Sequence, residues 1–276
     1  MEDISHYLPL VQFKVIFHCS QLCSQNLKMN EFIVDTKKYP KPRSRHHNAA
    51  NVYFPLHQLE KTPRYYPPLV NNIDWTTIYS NGKEPNILDI GCGWGSFLMN
   101  YALKNRDSNV LGIEIRKLLT DWINDVINGE QINNAYALWY SLPNGLHFLN
   151  DKSIEHFFSF FPDPWIKKKH HKRRAFSAEL VRDIIRLAKQ DSLLNIMTDV
   201  PEVAQYHIEL LAGFKEISLI FSEFIGDLDD TWKEVDLSCN ATVNDYCWEL
   251  PSTDQELFSQ RKNIPYIRMT FRIHHT

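Results

Sequence analysis

Hydrophobic and polar residues follow two different patterns in this chain, and the change falls near residue 80. Beyond it, short continuous apolar runs alternate with segments in which apolar residues recur every three to four positions. The first pattern is typical of buried strands and the second of amphipathic helices. Their regular alternation predicts an α/β fold whose sheet is mostly parallel and carries helices on both faces.

The individual runs define the expected elements. Strands are predicted at 86–90, 110–115, 135–139, 154–161, 193–198, 216–221 and 266–271, and helices at 96–104, 118–127, 178–189 and 203–211. In such a sheet the carboxyl ends of the parallel strands meet at one edge, where open α/β folds place their ligands. Candidate functional residues are therefore sought directly after the strands.

The first eighty residues differ from the rest in their proline and basic content. Residues 39–47 and 63–68 combine proline with basic or aromatic side chains. Proline restricts its own φ and the backbone of the residue before it, so such segments do not continue helices. We therefore predict an extended arm with short helices over residues 1–80, laid over or beside a main domain that spans residues 81–276. Asn81-Gly82 is the expected turn between them.

Composition disfavours several classes of protein. No stretch of eighteen apolar residues exists, so we expect no membrane span. The apolar run at 8–23 follows acidic residues and is interrupted by Lys14 and His18, which disfavours a cleaved signal peptide. The five cysteines are scattered without a CxxC pair, which predicts neither a zinc site nor a disulfide framework. Small buried thiols in a reducing compartment are the favoured interpretation.

The net charge of −3 conceals one concentrated positive region. Residues 167–174, called the basic segment below, carry six lysine and arginine side chains, and without them the formal charge of −3 becomes −9. An acidic chain with one strongly basic segment is typical of a protein that binds a polyanion. If all six cations met phosphates, affinity would fall with salt at a log-log slope of about −4 to −5. The alternative is an ordinary solvated helix start.

The first predicted strand runs into a glycine loop and then a helix. Glycines stand at Gly91, Gly93 and Gly95, where they allow sharp turns and close approach of a ligand. A dinucleotide fingerprint requires a further glycine where this chain has Ser96. Asp89, directly before the loop, would repel a pyrophosphate and suits a ligand with a cationic ammonium group.

A second acid ends the second strand. Glu114 is placed to accept hydrogen bonds from both hydroxyls of a ribose, as the equivalent acid does in dinucleotide folds. An acid before the glycine loop and another after the second strand together fit S-adenosylmethionine (AdoMet). The alternative is a structural glycine turn flanked by two solvated acids.

The fourth strand delivers a third acid to the same edge of the sheet. It continues into Pro162-Asp163-Pro164-Trp165, where two prolines hold Asp163 in a stiff turn, and then into the basic segment. The indole offers a stacking surface and the lysines offer phosphate contacts, whereas a turn-capping aspartate is the alternative. His170 and His171 lack a carboxylate or cysteine at ligand spacing, so we expect no metal site.

This part of the chain resembles a known family. Residues 161–174 resemble the hallmark of the tRNA (guanine-N7-)-methyltransferase family, whose members are class I AdoMet-dependent methyltransferases. Further matches are residues 89–95 with the family's AdoMet loop, 111–116 with its second strand, Thr198-Asp199 with its Thr-Asp element and, more loosely, Thr253-Asp254-Gln255-Glu256 with a T-x-x-E motif. Ile73-Asp74-Trp75 with Tyr79, and Arg116, resemble eukaryotic-type members. The resemblance covers roughly residues 43–275.

The resemblance implies a Rossmann-like class I methyltransferase sheet and methylation of a guanine N7 in tRNA, with the variable-loop guanine as the expected target. N7 carries a lone pair and no proton at neutral pH, so positioning and charge stabilisation suffice and no general base is needed. The expected catalytic residues are Asp163 and Asp199. The expected AdoMet-binding residues are Asp89, Gly91, Gly93, Gly95, Glu114, Ile115 and Tyr140, and the expected substrate-binding residues are Lys167, Lys172, Arg173, Asp199, Thr253 and Glu256.

The chain departs from the family pattern in two places. The family has Asn-Ala or Asp-Ala after the third strand, whereas this chain reads Trp139-Tyr140-Ser141, with Asn144 slightly later. Either Trp139 or Tyr140 stacks on the adenine, or the register of the third strand differs by several residues. Arg45-His46-His47-Asn48 only approximates a motif near the start of the family.

Two other functions remain open at this level: a non-catalytic RNA-binding relative, and a methyltransferase that acts on small molecules. Eukaryotic-type members of the family work with a non-catalytic β-propeller subunit, whereas bacterial ones act alone or as homodimers. We expect tRNA as the partner, activity without a second subunit, and neither membrane nor metal binding. The expected location is intracellular and cytoplasmic, or nuclear in a eukaryote.

Overall fold

A computed structural model describes residues 31–44, 50–227, 230–232, 235, 246 and 248–275. The apolar run at 8–23, the Arg45-His46-His47-Asn48 motif and four of the five cysteines lie outside these residues. The fifth, Cys92, is a buried free thiol. Within the described part of the chain, no helix has the length and apolar character needed to cross a membrane.

The described residues form a seven-stranded sheet. Its strands are β1 (Ile87–Ile90), β2 (Val110–Glu114), β3 (Ala135–Trp139), β4 (Ile154–Phe160), β5 (Ala188–Thr198), β6 (Ile217–Ile225) and β7 (Tyr266–Ile273). Their order across the sheet is β3-β2-β1-β4-β5-β7-β6. Only β7 runs against its neighbours, pairing antiparallel with both β5 and β6. The predicted mostly parallel α/β sheet is confirmed.

Helices cover both faces of this sheet. They are α1 (Ser96–Lys104), α2 (Lys117–Gly129), α3 (Ala178–Leu187), α4 (Pro201–Ala212) and α5 (Asp254–Lys262). Successive strand residues point to opposite faces, so Ile87 packs with the apolar residues of α1 and α2, whereas Leu88 packs with those of α3 and α4. All four residues of β1 are buried because a central parallel strand is covered on both sides.

The predicted helix at 178–189 was too long, and the strand after it starts earlier than predicted. The helix ends at Leu187, and Ala188 already has extended backbone angles and pairs with Ile154. Leu193 pairs with His156, so the ladder shifts register between these two pairs. The intervening polar residues 189–191 are exposed, and they hid the start of the strand from a search for apolar runs.

Helix α5 was not predicted, although the sequence contained its signal. Its residues are mostly polar, so no apolar periodicity marks it. The Thr253 hydroxyl accepts from the Glu256 backbone N–H, and the Glu256 carboxylate accepts from the Thr253 N–H, which is a capping box. The T-x-x-E pattern therefore has a local structural explanation in addition to the one that the family resemblance suggested.

Residues before β1 contact the two helices next to the glycine loop. The Phe32 backbone exchanges hydrogen bonds with the side chain of Asn100, and the Trp122 indole donates to the Tyr39 carbonyl. Short 3-10 helices lie at Ala50–Tyr53, Leu56–Gln58 and Trp75–Thr77. Short helices were predicted for this part of the chain, and the boundary at residue 80 stays a prediction.

Candidate active site

The carboxyl ends of β1, β2, β4 and β5 frame a cavity of about 550 Å³. It lies at the edge of the sheet where the sequence placed the candidate residues. Predicted site residues that border the cavity are Asp89, Gly91, Gly93, Glu114, Ile115, Tyr140, Asp163, Arg173, Asp199 and Thr253. Further wall residues include Arg116, which follows β2, and Tyr53 and Gln255 from other parts of the chain.

The glycine loop adopts backbone conformations that other residues rarely accept. Gly91, Gly93 and Gly95 have φ angles of +79°, +57° and +72°. The Gly91 and Cys92 N–H groups donate to the Ile113 carbonyl and so hold the loop against β2. Gly95 begins α1 and does not border the cavity; a Cβ there would lie 2.9 Å from Ile123 Cγ1. Gly95 therefore serves helix packing, whereas Gly91 and Gly93 form the cavity wall.

Asp89 is the most chemically unusual group in the cavity. Its side chain is 3% exposed, and its Oδ2 atom has no hydrogen-bond partner. Burial, and then the nearby Glu114 carboxylate, raise the pKa of Asp89 to about 8. A buried carboxyl group without a partner is costly, and a cationic ligand group would satisfy it. The amino group of AdoMet fits this requirement.

Glu114 has a different environment, since its carboxylate is already fully hydrogen-bonded. It accepts from the Gly93 N–H at 3.1 Å and from Arg116 through the backbone N–H at 2.9 Å, Nε at 2.8 Å and Nη2 at 3.1 Å. A carboxylate offers about four acceptor positions. Ribose hydroxyls can therefore reach Glu114 only by sharing or displacing a bond from Arg116. The sequence reasoning noted Arg116 as a family feature and missed this contact.

The region after β3 forms the wall expected beside the adenine. Tyr140 borders the cavity and is fully buried, and its hydroxyl donates to the Gly145 carbonyl at 2.8 Å. Trp139 instead donates its indole N–H to the Ile115 carbonyl and is not a cavity residue. Asn144 accepts from the Leu56 N–H and the Tyr66 hydroxyl. Of the two aromatic alternatives, only Tyr140 is placed to contact a ligand.

Two acids stand on the walls formed by β4 and β5. Asp163 lies in the turn after β4, between Phe161 and Trp165, whose φ angles of +48° and +40° are both left-handed. Asp199 follows β5, and its Oδ2 accepts from Gln255 Nε2 at 2.9 Å. Both acids border the same cavity as Asp89. The fold thus brings together three acids, of which the first and last, Asp89 and Asp199, are 110 residues apart in the sequence.

Glu256 was predicted to bind substrate, but its side chain does not reach the cavity. Its side chain is 1% exposed, accepts from Arg268 Nε at 3.1 Å and from the Tyr266 hydroxyl at 3.0 Å, and does not border the cavity. Thr253 does border it, but its hydroxyl caps α5. The placement of Glu256 fits a role in supporting α5 and β7 better than direct contact with a base.

The basic segment forms a short 3-10 helix, Lys168–Arg173, beside the cavity. Lys167 and Lys172 are exposed and lie outside the cavity wall, with Lys172 Nζ 5.2 Å from the centre of the Phe54 ring. Arg173 is half-buried, borders the cavity, and lies 5.1 Å from the Trp165 ring centre. This arrangement joins the cation-rich surface directly to the mouth of the cavity.

Arg174 is engaged within the protein, so at most five of the six cations in the basic segment are left to meet phosphates. The side chain is 9% exposed, and its Nε donates to the Pro164 carbonyl at 3.2 Å. Its guanidinium lies 4.5 Å from the centre of the Tyr206 ring. Arg174 thereby ties the turn that carries Asp163 to α4, which a count of charges along the sequence could not reveal.

The described residues contain no group of three or more histidine, cysteine or acidic side chains arranged to hold a metal ion. The sheet order, the glycine loop after β1 and the acid that ends β2 define a class I AdoMet-dependent methyltransferase. A family model described as "Putative methyltransferase" matches residues 83–224.

Three relatives named tRNA (guanine-N(7)-)-methyltransferase extend this match. The protein of Prochlorococcus marinus (strain MIT 9515) is 37% identical over 152 residues, which cover 53% of this chain and 73% of the relative. The protein of Prochlorococcus marinus subsp. pastoris (strain CCMP1986 / NIES-2087 / MED4) is 40% identical over 137 residues, covering 48% and 65%. That of Synechococcus sp. (strain JA-2-3B'a(2-13)) is 34% identical, covering 56% and 64%. The chain belongs to the tRNA (guanine-N7-)-methyltransferase family and spans about two thirds of these relatives' length.

Proposed function

We propose that this protein transfers a methyl group from AdoMet to N7 of a guanine in tRNA. One observation carries the proposal: Asp89, whose buried Oδ2 has no hydrogen-bond partner, and Asp163 border a single cavity that the basic segment also borders through Arg173. A cationic donor, a base and a polyanionic backbone thus each have a matching surface. The names of the similar proteins support the same substrate.

The side chains suit this chemistry. Bound AdoMet supplies a methyl group on a positively charged sulfur, and positive charge passes to the guanine as the methyl leaves. Fixed carboxylates at Asp163 and Asp199 stabilise that charge, and they can accept from the N–H donors of the guanine. Asp89 binds the amino group of AdoMet. Glu114 binds the ribose of AdoMet when the ribose hydroxyls share or displace one of the hydrogen bonds that Arg116 donates to Glu114. No side chain has to remove a proton from N7.

The finer features of the proposal come from the family resemblance. The target is the guanine of the variable loop. The chain acts without a β-propeller subunit, and its tRNA substrate places it inside the cell, in the cytoplasm or, in a eukaryote, the nucleus. A purified chain that methylates tRNA only after a second protein is added would contradict the proposal of independent activity.

Incubation of the purified chain with bulk tRNA and labelled AdoMet tests the function directly. We expect label at N7 of one guanine, in the variable loop, when the modified nucleotide is mapped. Binding of tRNA without binding of AdoMet would identify a non-catalytic RNA-binding relative. Binding of AdoMet without affinity for tRNA at moderate salt would identify a small-molecule methyltransferase, for which the basic segment has no use.

The basic segment makes a separate prediction about salt. With Arg174 withdrawn, five cations remain, so the log-log slope of tRNA affinity against salt should be about −3.5 to −4.5 at most. Lys169→Met, at an exposed position, should make the slope less negative by about 0.7–0.9. The matched variant Arg174→Met should leave the slope unchanged and lower the free energy of unfolding by about 1–3 kcal/mol, because it removes a buried charged donor from the Pro164 carbonyl.

Affinities measured by filter binding between 50 mM and 200 mM salt, with thermal unfolding of the same proteins, separate these effects. A slope that changes equally in both variants would show that Arg174 contacts phosphate after all. An unchanged slope in Lys169→Met would remove this lysine from the tRNA surface.

A further inference from the structure

A segment that precedes the sheet contacts two different parts of the active-site cavity wall, the region after β3 and the turn after β4. The Ser141 hydroxyl donates to the Val52 carbonyl at 2.8 Å, and the Leu56 N–H donates to Asn144 Oδ1 at 2.8 Å. Ser141 and Asn144 flank the part of the wall that follows β3. Val52 itself is fully buried. The backbone on both sides of Tyr53 is therefore anchored to the cofactor side of the cavity.

Tyr53 crosses from this anchored segment to the wall that carries Asp163. Its hydroxyl donates to Asp163 Oδ2 at 3.3 Å, and its ring meets the Trp165 ring edge-on, with centres 5.1 Å apart at 76°. The side chain is 8% exposed and borders the cavity. The hydroxyl of Tyr53 thus reaches the reacting end of the cavity, and its ring packs against the residue that closes the same turn.

We propose that Tyr53 is a positioning residue that holds the Asp163 carboxylate in the orientation needed for methyl transfer; the proposal rests on the proposed function. Asp163 stands in a turn whose neighbours on both sides, Phe161 and Trp165, have left-handed backbone angles. Such a turn fixes the backbone but not the side-chain torsions of the aspartate. A hydrogen bond from a buried, anchored phenol fixes the carboxylate itself.

Loss of this positioning should affect methyl transfer and not the binding of tRNA or AdoMet. Charge develops on the guanine only as the methyl group moves, so a carboxylate displaced by a fraction of an ångström loses stabilisation mainly in the transition state. Affinity for tRNA comes largely from phosphate contacts, and the donor's amino group is bound by Asp89. Loss of the Tyr53 hydroxyl should therefore lower kcat and spare both binding steps.

Tyr53→Phe tests this, because it removes the hydroxyl and keeps the ring contact with Trp165. We expect kcat to fall about tenfold, the effect of losing one hydrogen bond to a charged group. The KM for tRNA and the Kd for AdoMet should stay within about twofold of the wild-type values. Tyr79→Phe is the matched control: its buried hydroxyl donates to the Val110 carbonyl at 3.1 Å, and its ring is not a cavity residue. It should lower thermal stability without lowering kcat.

A double-mutant cycle with Asp163→Ala shows whether Tyr53 acts through Asp163. In the Asp163→Ala background, Tyr53→Phe should have almost no further effect on single-turnover methyl transfer, since the partner is gone. An equal tenfold loss in both backgrounds would overturn the proposal. So would an unchanged kcat in Tyr53→Phe, or a loss of kcat that Tyr79→Phe reproduces.

Thermal unfolding of the same four proteins separates this proposal from the proposed function. A non-additive change in stability for Tyr53→Phe and Asp163→Ala reports the contact between the two side chains whether or not methyl transfer occurs. A wild-type chain that makes no 7-methylguanine while this coupling persists refutes the function and not the contact. Additive stability changes refute the contact.

Discussion

Asp163→Ala should lower methyl transfer to tRNA about a hundred- to a thousandfold while leaving AdoMet affinity within about twofold of the wild-type value. The range is that found when one fixed group that stabilises transition-state charge is removed. AdoMet affinity should survive because Asp89 and the glycine loop belong to β1 and the turn that follows it, whereas Asp163 belongs to the separate turn after β4. Single-turnover transfer and isothermal titration measure the two quantities.

Asp121→Ala is a suitable control for this variant. Asp121 lies on α2 and is exposed, and its carboxylate forms an ion pair with Lys117 one helical turn away. An exposed pair of this kind contributes little, so activity should be retained. Asp163→Ala with activity within about threefold of the wild-type rate would remove Asp163 from the catalytic step. Parallel loss of AdoMet binding would show instead that the variant disturbs the cofactor side of the cavity.

Asp89→Asn should abolish most AdoMet binding, with a loss of about a hundredfold or more, because it removes the charge that faces the donor's amino group. The wild-type affinity should also depend on pH. Burial and then Glu114 raise the pKa of Asp89 to about 8, so the cofactor-free side chain is mostly protonated at pH 7. Since the ammonium group binds the carboxylate, affinity should rise by up to about tenfold per pH unit below pH 8 and pass through a maximum near there, because α-amino groups lose their proton at about pH 8.

Proton release provides a direct measurement of this linkage. Binding of AdoMet at pH 7 should release a large fraction of one proton per molecule, since a group with a pKa of about 8 is mostly protonated there. Isothermal titration in two buffers of different ionisation enthalpy measures this number. Asp163→Ala should retain it, because that variant keeps Asp89. No proton release in the wild-type protein would contradict the raised pKa or the role of Asp89.

The same group has an opposite effect on the stability of the cofactor-free protein. The pKa of Asp89 is about 8 in the folded state and about 3.8, the ordinary value, in the unfolded chain. The favourable contribution of the protonated carboxyl is therefore complete below about pH 4 and is lost as pH rises through 8. Asp89→Asn does not titrate, so its stability relative to the wild-type protein should increase by roughly 3 kcal/mol between pH 6 and pH 9. Thermal unfolding across this range checks the sign.

The parts of the site that were predicted well are those in which local sequence determines local structure. β1 and β3 end at the predicted residues, Ile90 and Trp139, and β2 ends at Glu114, one residue before its predicted end. The glycine loop directly follows β1, and Asp89, Glu114 and Asp163 each lie within three positions of a strand end. Because parallel strands end at a common edge, knowing these ends was enough to place Asp89, Glu114 and Asp163 on one cavity.

The incorrect predictions concern α5, the start of β5 and Arg174. Helix α5 lacks an apolar stripe, and its capping box had been interpreted only as a family motif. The first part of β5 is polar and exposed, and its pairing with β4 shifts register there. A search for apolar runs therefore did not detect it. Arg174 was counted with the surface cations, although its guanidinium is buried between Pro164 and Tyr206. The β5 and Arg174 cases depend on neighbours that are more remote in sequence, whereas the signal for α5 was local but was not an apolar pattern.

By itself, then, the sequence determined the class of fold, the glycine loop and the acids at or near the strand ends, because strand periodicity, glycine conformations and strand termini are local properties. Only the tertiary structure decided which of the candidate groups are already engaged. In this structure Glu114 is hydrogen-bonded to Arg116 and Glu256 is hydrogen-bonded to Arg268, whereas Asp89 is buried and its Oδ2 has no hydrogen-bond partner. It also brought Tyr53 to Asp163 across 110 positions of sequence. These pairings follow from packing and burial, which a linear pattern does not encode.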